Sequence, residues 1–317
     1  MKLVSTLQSG EARLGAVSGN TVIDLQRAAA SLARSEGKVA AAEIAAATVP
    51  TDAVRFLELG EPAIAAARAA VEHVATLSDA DARADLLVSD LDESRLLCPV
   101  PKPPKIICVA RNYGEHAKEA GFEMSEIPIL FARFTETLVA PGDPVVRPKV
   151  SDDFDWEGEL AVVIGKGGRA ISKADALDHV AGYSLFNDCT VRPYQFRVTQ
   201  YTAGKNFSYS GPFGPYLVTK DEIPDPHTLD LSLTINGETK QSANTGDMFF
   251  DVPTIIEHIS EFIALEPGDL IPMGTPAGVG FKRKPPEFLK PGDVVSVTIP
   301  EIGTLTNPVV AEEDLPA

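Results

Sequence analysis

A run of alternating acidic and apolar residues constrains this chain more than any other stretch. It reads Asp153-Phe154-Asp155-Trp156-Glu157-Gly158-Glu159-Leu160 and continues into Ala161-Val162-Val163-Ile164. In a strand, successive side chains point to opposite faces. Phe154, Trp156, Leu160, Val162 and Ile164 then share one face, and Asp153, Asp155, Glu157 and Glu159 share the other. One side is core and the other is a row of carboxylates. Glu157 and Glu159 lie close enough to repel, which a protein tolerates by open solvation or by a bound cation.

The chain has 317 residues, enough for two domains and a generous core. Its formal net charge of −17 argues against nucleic acid or an anionic membrane as partner. It does not make the site negative, because a few local cations capture a small anion. Cys98, Cys108 and Cys189 have neither metal-ligand nor disulfide-framework spacing, which suits a reducing compartment. The N-terminus has no apolar signal core, and no apolar run reaches transmembrane length. The expected location is the cytoplasm.

Residues 1–100 read as a small α/β domain. Three short strands (3–7, 12–17 and 21–25), with a turn at Ser18-Gly19-Asn20, precede alanine-rich helices. The clearest helix begins at Glu61-Pro62 and runs through Val74. The proline-rich stretch Cys98 to Lys105 marks the boundary with a second domain, 101–317. That part reads as mostly strands: 106–109, 129–132, 144–147, 158–164, 182–190, 216–219, 229–235, 269–273 and 294–299. Asn236-Gly237 is a hairpin signal. A short helix is expected after Gly114 and a longer one over 252–264, with Ile255, Ile256, Ile259, Phe262 and Ile263 as its apolar set. Mixed strands with few helices argue for a β-roll or sandwich within an α+β, predominantly β chain, rather than a doubly wound nucleotide fold.

Asp188, at the end of the apolar run Gly182 to Asn187, would complete three oxygen donors with Glu157 and Glu159. Such a set suits Mg²⁺, or Mn²⁺ or Ca²⁺, and disfavours zinc. His116 and Glu119, three apart on a helix, could form an oriented base. Arg192, Gln195, Lys205 and Thr275 are cations and donors that an acidic substrate would need. No phosphate-loop or dinucleotide fingerprint is present.

These pieces carry a resemblance. Residues from about 105 to 310 resemble the catalytic domain of the fumarylacetoacetate hydrolase family. The resemblance rests on Asn112-Tyr113-x-x-His116-Ala117-x-Glu119, Pro141-Gly142-Asp143-Pro144, Trp156 through Lys166, Ala181-Gly182-Tyr183 and Asn187-Asp188. It continues in Gly204-Lys205-x-Phe207, Asn236-Gly237-Glu238, Thr245-Gly246-Asp247-Met248, Gly274-Thr275-Pro276 and Leu289 through Asp293. The first hundred residues resemble the small domain of the family's longer members.

The resemblance implies a mixed β-sandwich roll in a homodimer. It makes Glu157, Glu159 and Asp188 the divalent-metal ligands. His116 and Glu119 become the water-activating pair on a lid, and Lys205 a catalytic lysine. Arg192, Gln195 and Thr275 fall at the substrate's oxo-acid end. The implied reaction is Mg²⁺-dependent hydrolysis of a C–C bond in an acylpyruvate-type 2-oxo acid. The alternatives on the same site are oxaloacetate decarboxylation or tautomerisation, oxo-dienoate isomerisation or hydration, and a non-catalytic binding protein. The chain departs from the family pattern at Pro193, Met273, Arg133, Ala110 and Arg111, around the pocket.

Overall fold

Both faces of the Gly158–Ile164 strand are buried, and the architecture follows from that. The computed structural model describes residues 1–114 and 125–315. Leu160, Val162 and Ile164 enter one core with Leu231, Leu233, Ile255, Val295 and Val297. Ala161 and Val163 point the opposite way, into a second core with Ala28, Phe56, Ala67 and Leu217. The carboxylate face is therefore not open to solvent. Its continuation into Ala161 and Val163 is apolar and is covered by the N-terminal helices.

The central sheet is mixed and, among the described residues, twelve-stranded. Its middle runs Lys2–Gln8, Gly211–Thr219, Val180–Asn187, Gly158–Ile164, Leu270–Pro272 and Ile106–Ala110, with Ile129–Arg133 at one edge. The N-terminal strands join it directly, with Lys2 opposite Val218 and Leu3 opposite Leu217. Four helices, Leu25–Ser35, Ala41–Thr48, Ala53–Leu59 and Glu61–Ala75, all but the third alanine-rich, cover this end. Asp24 caps the first by accepting from the Arg27 amide at 2.9 Å. Small side chains such as Ala28, Ala67 and Ala70 let the helices pack closely.

The opposite face packs on a five-stranded sheet ordered Glu238–Asn244, Asp230–Ile235, Val294–Ile299, Gly303–Ala311 and Val145–Arg147. Asn236 and Gly237 form its tight turn with φ of 52° and 81°. The strands Glu238–Asn244 and Gly303–Ala311 are absent from the sequence reading. The first is almost wholly polar, and the second carries Pro308 and alternating threonines. Helix Val252–Phe262 buries Val252, Ile255, Ile256 and Ile259, whereas Phe262 and Ile263 are exposed. The apolar pattern thus overruns the helix's buried face. No helix among the described residues is long and apolar enough to cross a membrane.

Candidate metal centre

Strand pairing brings the acids together. Gly158–Ile164 and Val180–Asn187 run antiparallel with Gly158 opposite Asn187. The residues just beyond that pair, Glu157 and Asp188, therefore emerge side by side. The Asp188 amide donates to the Glu157 carbonyl at 2.8 Å, and the Glu157 amide donates to the Asn187 side-chain oxygen at 2.9 Å. Glu159 follows on the same face. All three acids are buried, and each places a carboxylate oxygen within 4.8 Å of the others.

Three buried cations surround them. Lys205 Nζ donates to Glu157 Oε2 at 2.6 Å and to Asp188 Oδ2 at 2.7 Å. Arg133, at the end of its edge strand, pairs with Asp188 Oδ1 and donates to Ser210 Oγ at 2.6 Å. Arg192 pairs with Glu157 Oε1 at 2.8 Å and with Asp155 Oδ2, from Nε, at 2.8 Å. Its guanidinium carbon also lies 4.1 Å from the Phe281 ring centroid. Asp155 is fully buried and ties this side together. Its carboxylate accepts from the amides of Trp156, Gly280 and Phe281 as well as from Arg192.

Two short helices hold Arg192 and Lys205: Arg192–Gln195 and Thr202–Lys205. They touch where Gly204 has no side chain, since a Cβ there would meet the Gln195 amide nitrogen at 2.5 Å. On the far side Gly274, at φ 92°, donates its amide to Glu159 Oε2 at 2.8 Å.

The electrostatics favour a dication. Burial, then the charges of Asp188 and Glu157, push the Glu159 carboxyl well above its ordinary value, against Lys205 and the Gly274 amide. Burial opposes the charge on Lys205, but Asp188 and Glu157 outweigh it and its pKa is raised. Among the described buried groups of the site, with every one ionised, four acids (Asp155, Glu157, Glu159, Asp188) face three cations (Arg133, Arg192, Lys205), leaving one net negative charge. A divalent ion reverses that to one positive charge, the sign an anionic substrate needs. Three carboxylates, with no Cys or His beside them among the described residues, fit Mg²⁺ or Mn²⁺. Arg111, Phe131, Phe196, Tyr201, Phe281 and Thr275 line the recess in front of the acids.

The description "Fumarylacetoacetate (FAA) hydrolase C-terminal" matches residues 105–310. The chain belongs to the fumarylacetoacetate hydrolase family. Among its relatives there, it is 43% identical over 265 residues to the human mitochondrial oxaloacetate tautomerase FAHD2A, covering 83% of this chain and 81% of that one. It is 40% identical over 292 residues to the oxaloacetate tautomerase YisK of Bacillus subtilis, covering 91% and 92%. A fumarylacetoacetate hydrolase structure from Exiguobacterium antarcticum is similar with TM-score 0.75 and 35% identity, covering 98% and 100%. The maleylpyruvate hydrolase of Sphingobium sp. SYK-6, in complex with manganese(II) and pyruvate, is similar with TM-score 0.71 and 30% identity, covering 98% and 99%.

Against that family frame, the structure brings Glu157, Glu159, Asp188 and Lys205 into one cluster. His116 and Glu119 lie outside the described residues. Arg192, Gln195 and Thr275 reach the same recess, but the Arg192 guanidinium, the Gln195 side-chain oxygen and the Thr275 hydroxyl already have partners within the protein. Arg192 donates to Gln195 Oε1 at 2.8 Å. The Thr275 hydroxyl donates to the Gly158 carbonyl at 3.0 Å and accepts from Gln241 at 2.8 Å. Asp155, Arg133 and Gln241 had no assigned part in the sequence reading. The visible signals are that Asp155 belongs to the same odd-numbered row as Glu157 and Glu159, and that Arg133 is one of the departures from the family pattern.

Proposed function

We propose that this protein is a metal-dependent enzyme that interconverts the keto and enol tautomers of a small 2-oxo acid, oxaloacetate. The observation that carries this reading is the buried Glu157–Glu159–Asp188 cluster with Lys205 on two of its carboxylates. Identity of 43% and 40% to oxaloacetate tautomerases, over four-fifths or more of each chain, supports the choice of reaction.

A hard ion held by Glu157, Glu159 and Asp188 would act as a Lewis acid toward the 2-oxo group. The protein's own groups do the rest. Lys205 stays charged because two carboxylates hold it, and its ammonium stands beside the site where negative charge grows on the enolate oxygen. A well-aimed donor of that kind contributes about 3 kcal/mol. Arg133 and Arg192 fix the rear of the acids. Phe131, Phe196, Tyr201 and Phe281 line the recess and give the substrate's carbon chain an apolar wall. Proton transfer at the carbon next to the oxo group is assigned to the pair His116 and Glu119 that the family resemblance implies. The homodimer and the cytoplasmic location belong to this reading; the three free, buried cysteines support a reducing compartment.

The test follows the decay of enol-oxaloacetate with Mg²⁺ or Mn²⁺, before and after chelation, against the ion alone. No acceleration beyond the ion alone rejects the reading. A second reading, C–C hydrolysis of an acylpyruvate, is supported by likeness to a hydrolase whose structure contains manganese(II) and pyruvate. Pyruvate release without CO₂ from an acylpyruvate would favour it, CO₂ from oxaloacetate a decarboxylase.

A further inference from the structure

Each carboxylate of two of the three expected ligands is divided between two cations. Asp188 gives Oδ1 to Arg133 and Oδ2 to Lys205. Glu157 gives Oε1 to Arg192 and Oε2 to Lys205. Among the interactions of the described residues, Lys205 thus bridges both acids, while Arg133 and Arg192 each hold one of these two. The arginines are also anchored elsewhere: Arg133 on Ser210 Oγ and the Cys189 carbonyl, Arg192 on Asp155 and Gln195. Among the described residues Lys205 Nζ has no anchor of that sort. Its remaining polar contact is the Asp188 carbonyl at 3.4 Å.

We propose that Lys205 and the divalent ion compete for the same two oxygens, Glu157 Oε2 and Asp188 Oδ2, so that Lys205 sets how tightly the ion is held. This inference rests on the metal reading of the acidic cluster and adds a second task for the lysine. An ammonium and a dication cannot both take full advantage of one pair of oxygens, because they repel and need the same lone pairs. The arginines cannot yield in the same way. Their forks are locked by other acceptors, so they pin the acids in place rather than contest the ion. The lysine stem is unbranched and flexible, and its three donors can turn from the acids to an incoming carboxylate. An anionic oxo acid that draws the ammonium toward itself therefore frees the two oxygens. Substrate and ion then bind each other's form of the protein more tightly, a reciprocal coupling.

The experiment is calorimetric titration of Mn²⁺ into the full chain, with and without oxalate as the oxo-acid probe. Lys205→Met is expected to bind Mn²⁺ more tightly than the wild type by roughly tenfold, within the usual range for coupled sites. It is also expected to show a smaller gain on adding oxalate. Arg133→Gln is the control: it removes an equal charge but unpins Asp188, so its Mn²⁺ affinity should fall or stay level. Equal or weaker binding by Lys205→Met overturns the proposal, and so does equal tightening in both variants, which would mean charge alone. Should Lys205→Met not fold, Lys205→Gln takes its place. In the wild type, the ¹⁵N signal of the Lys205 ammonium must also shift on titration with diamagnetic Mg²⁺, and an unmoved signal overturns the proposal. Failure of the wild type to bind Mn²⁺ at all would instead remove the metal reading beneath it.

Discussion

Arg192 meets Asp155 with two nitrogens on a single oxygen: Nε lies 2.8 Å and Nη2 2.7 Å from Asp155 Oδ2. Both residues are buried, so neither charge is stable without the other. Burial raises the Asp155 pKa even though Arg192 and the Phe281 amide pull it down. Asp155→Asn keeps the shape and removes the charge. It should destabilise the fold by about 3–5 kcal/mol, the usual result of orphaning a buried partner. Because Arg192 then loses its anchor behind Glu157, ion affinity should also fall. Chemical denaturation and ion titration check both, and an unchanged midpoint would deny Asp155 its organising role.

The acids themselves separate binding from folding. Glu157→Gln and Asp188→Asn each remove one ligand charge while leaving the strand pairing at Gly158 and Asn187 intact. The expected outcome is loss of Mg²⁺ binding and turnover with near-native circular dichroism. Turnover at the wild-type level in either variant would remove these residues from the ion's coordination.

Much of this site was legible because strand periodicity is a local property. The alternation of Leu160, Val162 and Ile164 against Ala161 and Val163 divides two cores as period two requires. It also aligns Glu157 with Glu159. The pairing of Asp155 with Arg192 was not legible, since it joins residues 37 positions apart through side chains whose spacing has no period. Thr275 looked available to a substrate for the same reason, as nothing local marks Gln241 as its partner. The second core was hidden by alanines, which read as helix formers before they read as a covering for the acidic face.

Glu159 gives the site a pH dependence whose sign is fixed. Its folded-state pKa stands well above the ordinary carboxylate value. Below about pH 4, near the unfolded pKa, both states hold the proton and the contribution to stability is complete. As pH rises from there through the folded pKa, the unfolded chain loses its proton first and that stability is lost. Ion binding expels the same proton, so affinity for Mg²⁺ should climb across this window with proton release. Calorimetry in buffers of different ionisation enthalpy measures that release, and chelator-treated protein should lose thermal stability as pH rises. A pH-independent affinity with no proton released would contradict the assignment.

The Thr275 hydroxyl ties the loop after Leu270–Pro272 to Gly158, at the start of strand Gly158–Ile164, and to Gln241 of strand Glu238–Asn244. Thr275→Val takes one partner from the buried Gln241 amide, which keeps the Pro276 carbonyl, and one from the buried Gly158 carbonyl. The expected loss is about 1–3 kcal/mol of stability, with Thr275→Ser restoring most of it. A raised KM at unchanged melting temperature would instead place the hydroxyl on the substrate.

Gly204 tests whether position alone governs the lysine beside it. A Cβ there would stand 2.5 Å from the Gln195 amide nitrogen and 2.6 Å from Gln195 Cα, and backbone atoms cannot turn aside. Gly204→Ala must push the Thr202–Lys205 helix away from Arg192–Gln195. Lys205, the next residue, then loses its fit to Glu157 Oε2 and Asp188 Oδ2. Overpacking of this kind costs about 1–3 kcal/mol of stability. Displacement by about 1 Å should lower kcat by roughly a hundredfold. The acids remain on their own strands, so the ion should still bind. A variant that turns over normally while its melting temperature falls would show that Lys205 reaches its partners from more than one helix position, and that its placement is not what limits the rate.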